Sequence, residues 1–190
     1  MQTDNRWAFK EWAAVCTALL SGRQSLILRK GGIHEGRDGF RVEHPEFWLF
    51  ATGFHQHAEA LADHAADFAN ISPPGEGTVL LPGYVVVDAV EEIRDPLILP
   101  RLAGHHIWSD RTVEERFHYR TPGLFALIVR VYRPATAILL PDSPHFGGCR
   151  SWVDLPSELP TTELVPVMNE ADHHARVAQL RQLCAAVCTA

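Results

Sequence analysis

Lysine is almost missing from this chain: among 190 residues only Lys10 and Lys30 carry an amine side chain. Neither follows an Asp or Glu by two positions, so the Asp/Glu-x-Lys pattern common in nucleases is absent. No run of eighteen apolar residues occurs, and MQTDNRWAFKEW at the start has no apolar stretch after a basic one. Neither a membrane span nor a secretory leader is therefore expected, and a cytoplasmic protein is. The four cysteines, Cys16, Cys149, Cys184 and Cys188, form no CxxC pair. That spacing argues against a zinc knuckle or a disulfide framework and favours reduced thiols. A P-loop is excluded by the missing GxxxxGK[ST] spacing, and no fixed-period repeat or low-complexity tract is present.

What is there suffices for a packed core: 46% of the residues are hydrophobic, enough for one domain with a helical extension. The net charge of -6 disfavours a bulk nucleic-acid binder, but its distribution is uneven. Residues 23–41 are rich in Arg and Lys, residues 42–93 carry acids with no Arg or Lys, and residues 94–150 are again arginine-rich. One basic and one acidic side would follow from this pattern, as would scattered solvated charges.

Trp7, Trp12, Val15, Cys16 and Leu19 recur at helical spacing, which predicts a helix over 6–20 ended near Gly22. Strands are predicted at 25–30, 39–44, 46–52 and 78–81, with a long one at 84–93. The alanine-rich stretch 54–68 predicts a helix. A short helix is expected within 95–104 and another from Ser109 and Asp110, which are good N-caps. LFALIVRVY is the clearest core strand, ATAILLP a further one, and Asn169 caps a last helix running to about Val187. Long helices do not regularly separate these strands, so a doubly wound parallel sheet is disfavoured. The expected class is α+β, with a mixed, mostly antiparallel sheet curled into a barrel and flanked by helices. Residues 1–155 would form the barrel domain, and 156–190 a strand and helix packed on it.

Five blocks in order, LILRKGGI, GFHQH, HHIWSD, the strand ending RVY and GGCRSWVDL, resemble the bacterial domain-of-unknown-function family 1802 over roughly residues 9–155. The resemblance implies no assigned activity; it implies a nucleic-acid context, through restriction-type nuclease domains found with some members. The sequence departs from the family's pattern at Ala51-Thr52-Gly53-Phe54, where the ring at 54 lacks a hydroxyl. The order of elements is also similar to PUA-like barrels of the ASCH and EVE groups, which implies RNA or flipped-base binding in a cleft.

Candidate chemistry is spread over several places. Arg29-Lys30-Gly31-Gly32 sets two cations beside two glycine amides, a nest for phosphate or carboxylate, or else a plain turn. His105 with Trp108 would offer a neutral imidazole and a stacking face, or an ordinary core tryptophan. Arg116 can fork onto phosphate. Cys149, beside Arg150, is a packed wall, a ligand contact, or a nucleophile with His145 as base. His55 and His57 would share a face, and a metal, only on an extended segment. Arg130, on a largely apolar strand face, calls for a carboxylate partner such as Asp88 or Glu92.

The expectation is a non-catalytic module with no cofactor, binding a nucleic acid or a nucleotide-like anion and open to a partner nuclease. A Cys/His hydrolase, a metal-assisted phosphoesterase or a purely structural partner protein are the alternatives.

Overall fold

A computed structural model describes residues 1–30, 42–53, 57–71, 74–148 and 150–185. The chain enters as β1 (Asp4–Trp12), turns into α1 (Ala13–Leu20), and continues through β2 (Leu26–Arg29) and β3 (Glu46–Thr52). Then follow β4 (Thr78–Leu81), β5 (Tyr84–Ile93), α2 (Leu99–Leu102), α3 (Asp110–His118), β6 (Leu124–Arg133) and β7 (Ile138–Pro141). The last elements are β8 (Trp152–Pro160), β9 (Val165–Pro166) and α4 (Glu170–Cys184).

The strands make one nine-stranded sheet with the main path β2-β6-β5-β3-β1-β8. Only β1 and β3 run parallel among the described pairs; the others are antiparallel. The class is α+β and the sheet mixed and mostly antiparallel, as expected. No backbone pairing joins β2 to β8 among the described residues. The sheet nevertheless curls until its two ends touch through side chains: Arg29, closing β2, reaches Glu11 of β1 and Ser151 just before β8.

Two predicted elements differ, besides the strand at 39–44, which lies partly outside the described residues and forms no strand over 42–44. Residues 6–20 are not one helix but a strand followed by a helix. Trp7 and Trp12 belong to the strand and Val15, Cys16 and Leu19 to the helix, so their helical spacing joins two elements by coincidence. β1 pairs on both sides and is covered on both faces, Phe9 packing in the larger core and Ala8 in the smaller. A strand buried this way loses the period-two alternation that would have identified it.

Within 54–68 the described residues form two 3₁₀ turns, Ala58–Ala60 and Asp63–Phe68, rather than an α-helix. Backbone bonds to another segment explain this. Ala62 N donates to Ile107 O at 2.9 Å and Ser109 N to Ala60 O at 2.9 Å, tying 60–62 to 107–109. Backbone groups committed to that neighbour cannot also form a helical ladder.

At the far end, α4 is fastened by polar groups as much as by its buried Leu180. Asn169 Oδ1 accepts from Asp172 N at 2.9 Å, the expected cap. Glu170 Oε2 takes the Arg130 guanidinium at 2.6 Å. The partner of Arg130 is therefore Glu170, not the expected Asp88 or Glu92. Asp88, at a register shift between Val87 and Ala89, is used by the buried His173 instead, 3.0 Å away. Among the described residues no helix is long and apolar enough to cross a membrane.

Candidate anion-binding site

Where the sheet's ends meet, four elements deliver charged and aromatic side chains to one place. β1 brings Glu11 and Trp12, β2 brings Arg29, α3 brings Arg116, and the segment before α3 brings Trp108. α3 starts where it does because Ser109 Oγ accepts from Thr112 N, so Trp108 is fixed at the helix entrance. Its backbone also bridges to Leu61.

Glu11 is only 5% exposed. A buried carboxylate needs partners, and it has two kinds: Trp12 N donates to Oε1 at 2.8 Å, and Arg29 Nη1 stands 3.5 Å from Oε2. Arg29 lies over the Phe9 ring at 4.6 Å and donates through Nη2 to Ser151 Oγ. Arg116 lies over Trp108 at 3.8 Å and faces Trp12 at 5.8 Å, while the two indoles meet edge to face at 4.7 Å. Guanidinium over indole is an attractive cation–π contact.

Burial pushes the Arg116 pKa down, Glu11 opposes that shift, and the positive Arg29 adds to it. An arginine starts too high to lose its proton near neutrality, so among the described residues two cations here face one carboxylate. Burial, with Glu11 close by, raises the Cys16 thiol well above its usual range and keeps it protonated. Two buried donors at this place, Arg29 Nε and Trp152 Nε1, have no hydrogen-bond partner.

Of the residues singled out in the sequence, Arg29, Trp108 and Arg116 come together. Lys30 turns away: its ammonium donates to Phe117 O at 2.9 Å, to Gly123 O at 2.8 Å and to Thr121 O, closing the C-terminal end of α3. Burial lowers its pKa. His105 stands by Arg176 of α4, its pKa lowered first by burial and then by that charge. Arg150 is exposed and donates to His145 O, and His145 Nε2 is 2.8 Å from Asp154 Oδ1. His57 is exposed, preceding a 3₁₀ turn. Gly31, Gly32, His55 and Cys149 lie outside the described residues. Among the described residues no three His, Cys, Asp or Glu side chains are grouped to hold a metal ion.

The reading of residue patterns missed Glu11, Trp12, Ser151 and Trp152. One signal existed for Glu11: a lone acid inside the otherwise apolar run that follows Lys10. Nothing in the sequence alone pairs it with Arg29.

The model of the family described as Domain of unknown function (DUF1802) matches residues 8–179. The chain belongs to the DUF1802 family. It has that family's span from before the Phe9 ring to most of α4, and so includes every described residue of the site. No curated protein matches it. Among solved structures, this DUF1802 chain is similar to the ASCH protein from Zymomonas mobilis at 13% identity, covering 90% of this chain and 93% of that one with a TM-score of 0.42. Two mutant proteins of the same ASCH are similar at 13% and 12% identity, with TM-scores of 0.45 and 0.44. The first covers 90% of this chain and 96% of its own, the second 95% and 99%. These similarities concern the outline of the fold and lend nothing to the reading of the site.

Proposed function

We propose that this DUF1802 chain is a non-catalytic module that binds a nucleic-acid or nucleotide-like anion at the Arg29–Arg116 site. The observation that carries the reading is the imbalance of charge among the described residues: two guanidiniums against the single carboxylate of Glu11, in surroundings lined by indole and phenyl rings. Low local polarizability strengthens the attraction for an incoming anion. A guanidinium fork fits phosphate oxygens, while Trp108, 2% exposed and covered by Arg116, is a core wall beneath that fork rather than a stacking face. The unpartnered Arg29 Nε and Trp152 Nε1 add donors that an acceptor would satisfy. A partner nuclease, which the family resemblance implies, would act on the same class of ligand.

The test is a titration of nucleotides and short single- and double-stranded DNA and RNA, followed by tryptophan fluorescence at two salt concentrations. Salt-sensitive binding is expected. Arg116→Gln should weaken it and flatten the salt dependence by about one contact. Absence of binding by folded protein at low salt would remove the reading.

One observation favours a second reading, the Cys/His hydrolase. His145 is held by Asp154 at 2.8 Å, the kind of contact that orients a general base. Labelling of Cys149 by iodoacetamide much faster than free cysteine at pH 7, slowed by His145→Ala, would support it. Ordinary labelling rates would dismiss it.

A further inference from the structure

The end of α3 carries a cation that the fold does not use. A helix C-terminus is the negative end of its dipole, with carbonyls short of donors. Here those carbonyls are provided for. Arg116 O accepts from Tyr119 N at 3.3 Å, and Phe117 O from Gly123 N at 3.0 Å. The Lys30 ammonium donates to Phe117 O as well, and to Gly123 O and Thr121 O. Lys30 keeps its charge in doing so, and that charge offsets the helix end.

Arg120 follows the capping residue Tyr119 and, among the described residues, is the one non-glycine with a positive φ, +59°. Glycine or asparagine usually fills this position, because a Cβ is crowded there. The backbone thus accounts for a glycine and not for an arginine. Nor does a partner account for it. The exposed side chain lies over the equally exposed Tyr119 ring at 5.1 Å, and among the described residues it has no hydrogen bond and no carboxylate. Backbone strain that the fold does not repay is a mark of binding sites.

Its place joins Arg120 to the anion site. Arg116 lies one turn earlier in the chain, flat on Trp108, and has no hydrogen bond to protein among the described residues. Lys30, bonded to Thr121 O beside Arg120, directly follows Arg29. From Arg116 to Gly123 the chain holds two arginines and no acid. The acids just before it on α3 are Glu114 and Glu115, and Glu115 is paired with Arg111.

We propose that Arg120 is a second phosphate contact of the anion site, one turn beyond Arg116, so that the ligand carries two neighbouring phosphates. This rests on the anion-binding reading above and extends its site. A running strand and a nucleoside diphosphate both supply that chemistry, and the experiment separates them.

Calorimetric titrations of the full chain at two salt concentrations use adenosine 5′-monophosphate, adenosine 5′-diphosphate, inorganic pyrophosphate, and single strands of six and twelve nucleotides. Arg120→Gly and Arg120→Asn relieve the backbone and remove the guanidinium, so both variants should melt no lower than the parent. A loss of affinity in them is then not misfolding. Each should weaken binding of the diphosphate or the strands about tenfold at low salt and leave the monophosphate within about twofold. The strand's salt slope should flatten by about 0.7, the share of one phosphate.

Affinity that rises with strand length, with the diphosphate no better than the monophosphate, assigns the two phosphates to a strand. Pyrophosphate and the diphosphate binding as tightly as the strands assigns them to a nucleotide. Unchanged affinities and slope in both Arg120 variants, or an equal loss for the monophosphate, would overturn the second contact. The anion-binding reading would then stand on Arg116→Gln, which should weaken every probe. No binding of any probe would overturn both.

Discussion

Replacing Lys30 by methionine separates a structural cation from a ligand-binding one. Methionine keeps most of the apolar stem and removes only the ammonium, which holds three carbonyls at the end of α3: Phe117 O at 2.9 Å, Gly123 O at 2.8 Å and Thr121 O. Hydrogen bonds from a charged group contribute about 1.5–3 kcal/mol each, and the low end applies because Lys30 is half-buried. Releasing an ordered lysine returns up to about 2 kcal/mol of side-chain entropy. Phe117 O also keeps its bond from Gly123 N at 3.0 Å, which softens the loss.

The net expectation is a destabilisation of about 2–3 kcal/mol. At about 2–4 °C per kcal/mol for a chain of this size, Tm falls by about 4–12 °C. Urea unfolding measures it, as a lower midpoint at unchanged m-value. A loss below about 0.5 kcal/mol, together with a marked drop in nucleotide affinity, would refute the reasoning and return Lys30 to the role of anion ligand.

Three other outcomes follow from particular residues. His106 is 3% exposed with both ring nitrogens unpartnered, and burial holds its pKa down at about 4. The unfolded chain therefore binds its proton at higher pH than the folded one, and stability should fall by about 3 kcal/mol as pH drops from about 6.5 to 4. His106→Leu should flatten that part of a pH series of urea midpoints, and an unchanged slope would contradict the assignment. Arg120, directly beyond the residue that caps α3, has φ of +59°. Arg120→Gly should stabilise by about 1 kcal/mol in the same assay, since glycine adopts that conformation without the Cβ clash, and a loss would show that the side chain holds something. Gly83 has no room for a methyl group: a Cβ would lie 2.6 Å from Leu20 Cδ2 and 2.9 Å from Tyr132 O. Gly83→Ala should cost about 1–3 kcal/mol, and a neutral change by thermal melting would mean that the β4–β5 connection yields freely.

Local chemistry was enough to read much of this DUF1802 chain from its sequence. β2, β3, β4, β5 and β6 lie within a residue or so of their hydrophobic runs, and Ser109 and Asn169 cap the helices they were expected to cap. Each signal resides in a few adjacent residues, so it survives without the fold. β1 and the turns over 58–68 were decided by partners elsewhere in the chain: a strand covered on both faces shows no alternation, and 60–62 gave its backbone bonds to 107–109. The site was decided the same way. Arg29, Trp108 and Arg116 could each be singled out by residue type, but only the curl of the sheet sets Arg29 against Glu11 and beside Arg116. That curl also turns Lys30, the next residue, toward the end of α3, because successive side chains at a strand's end face opposite ways.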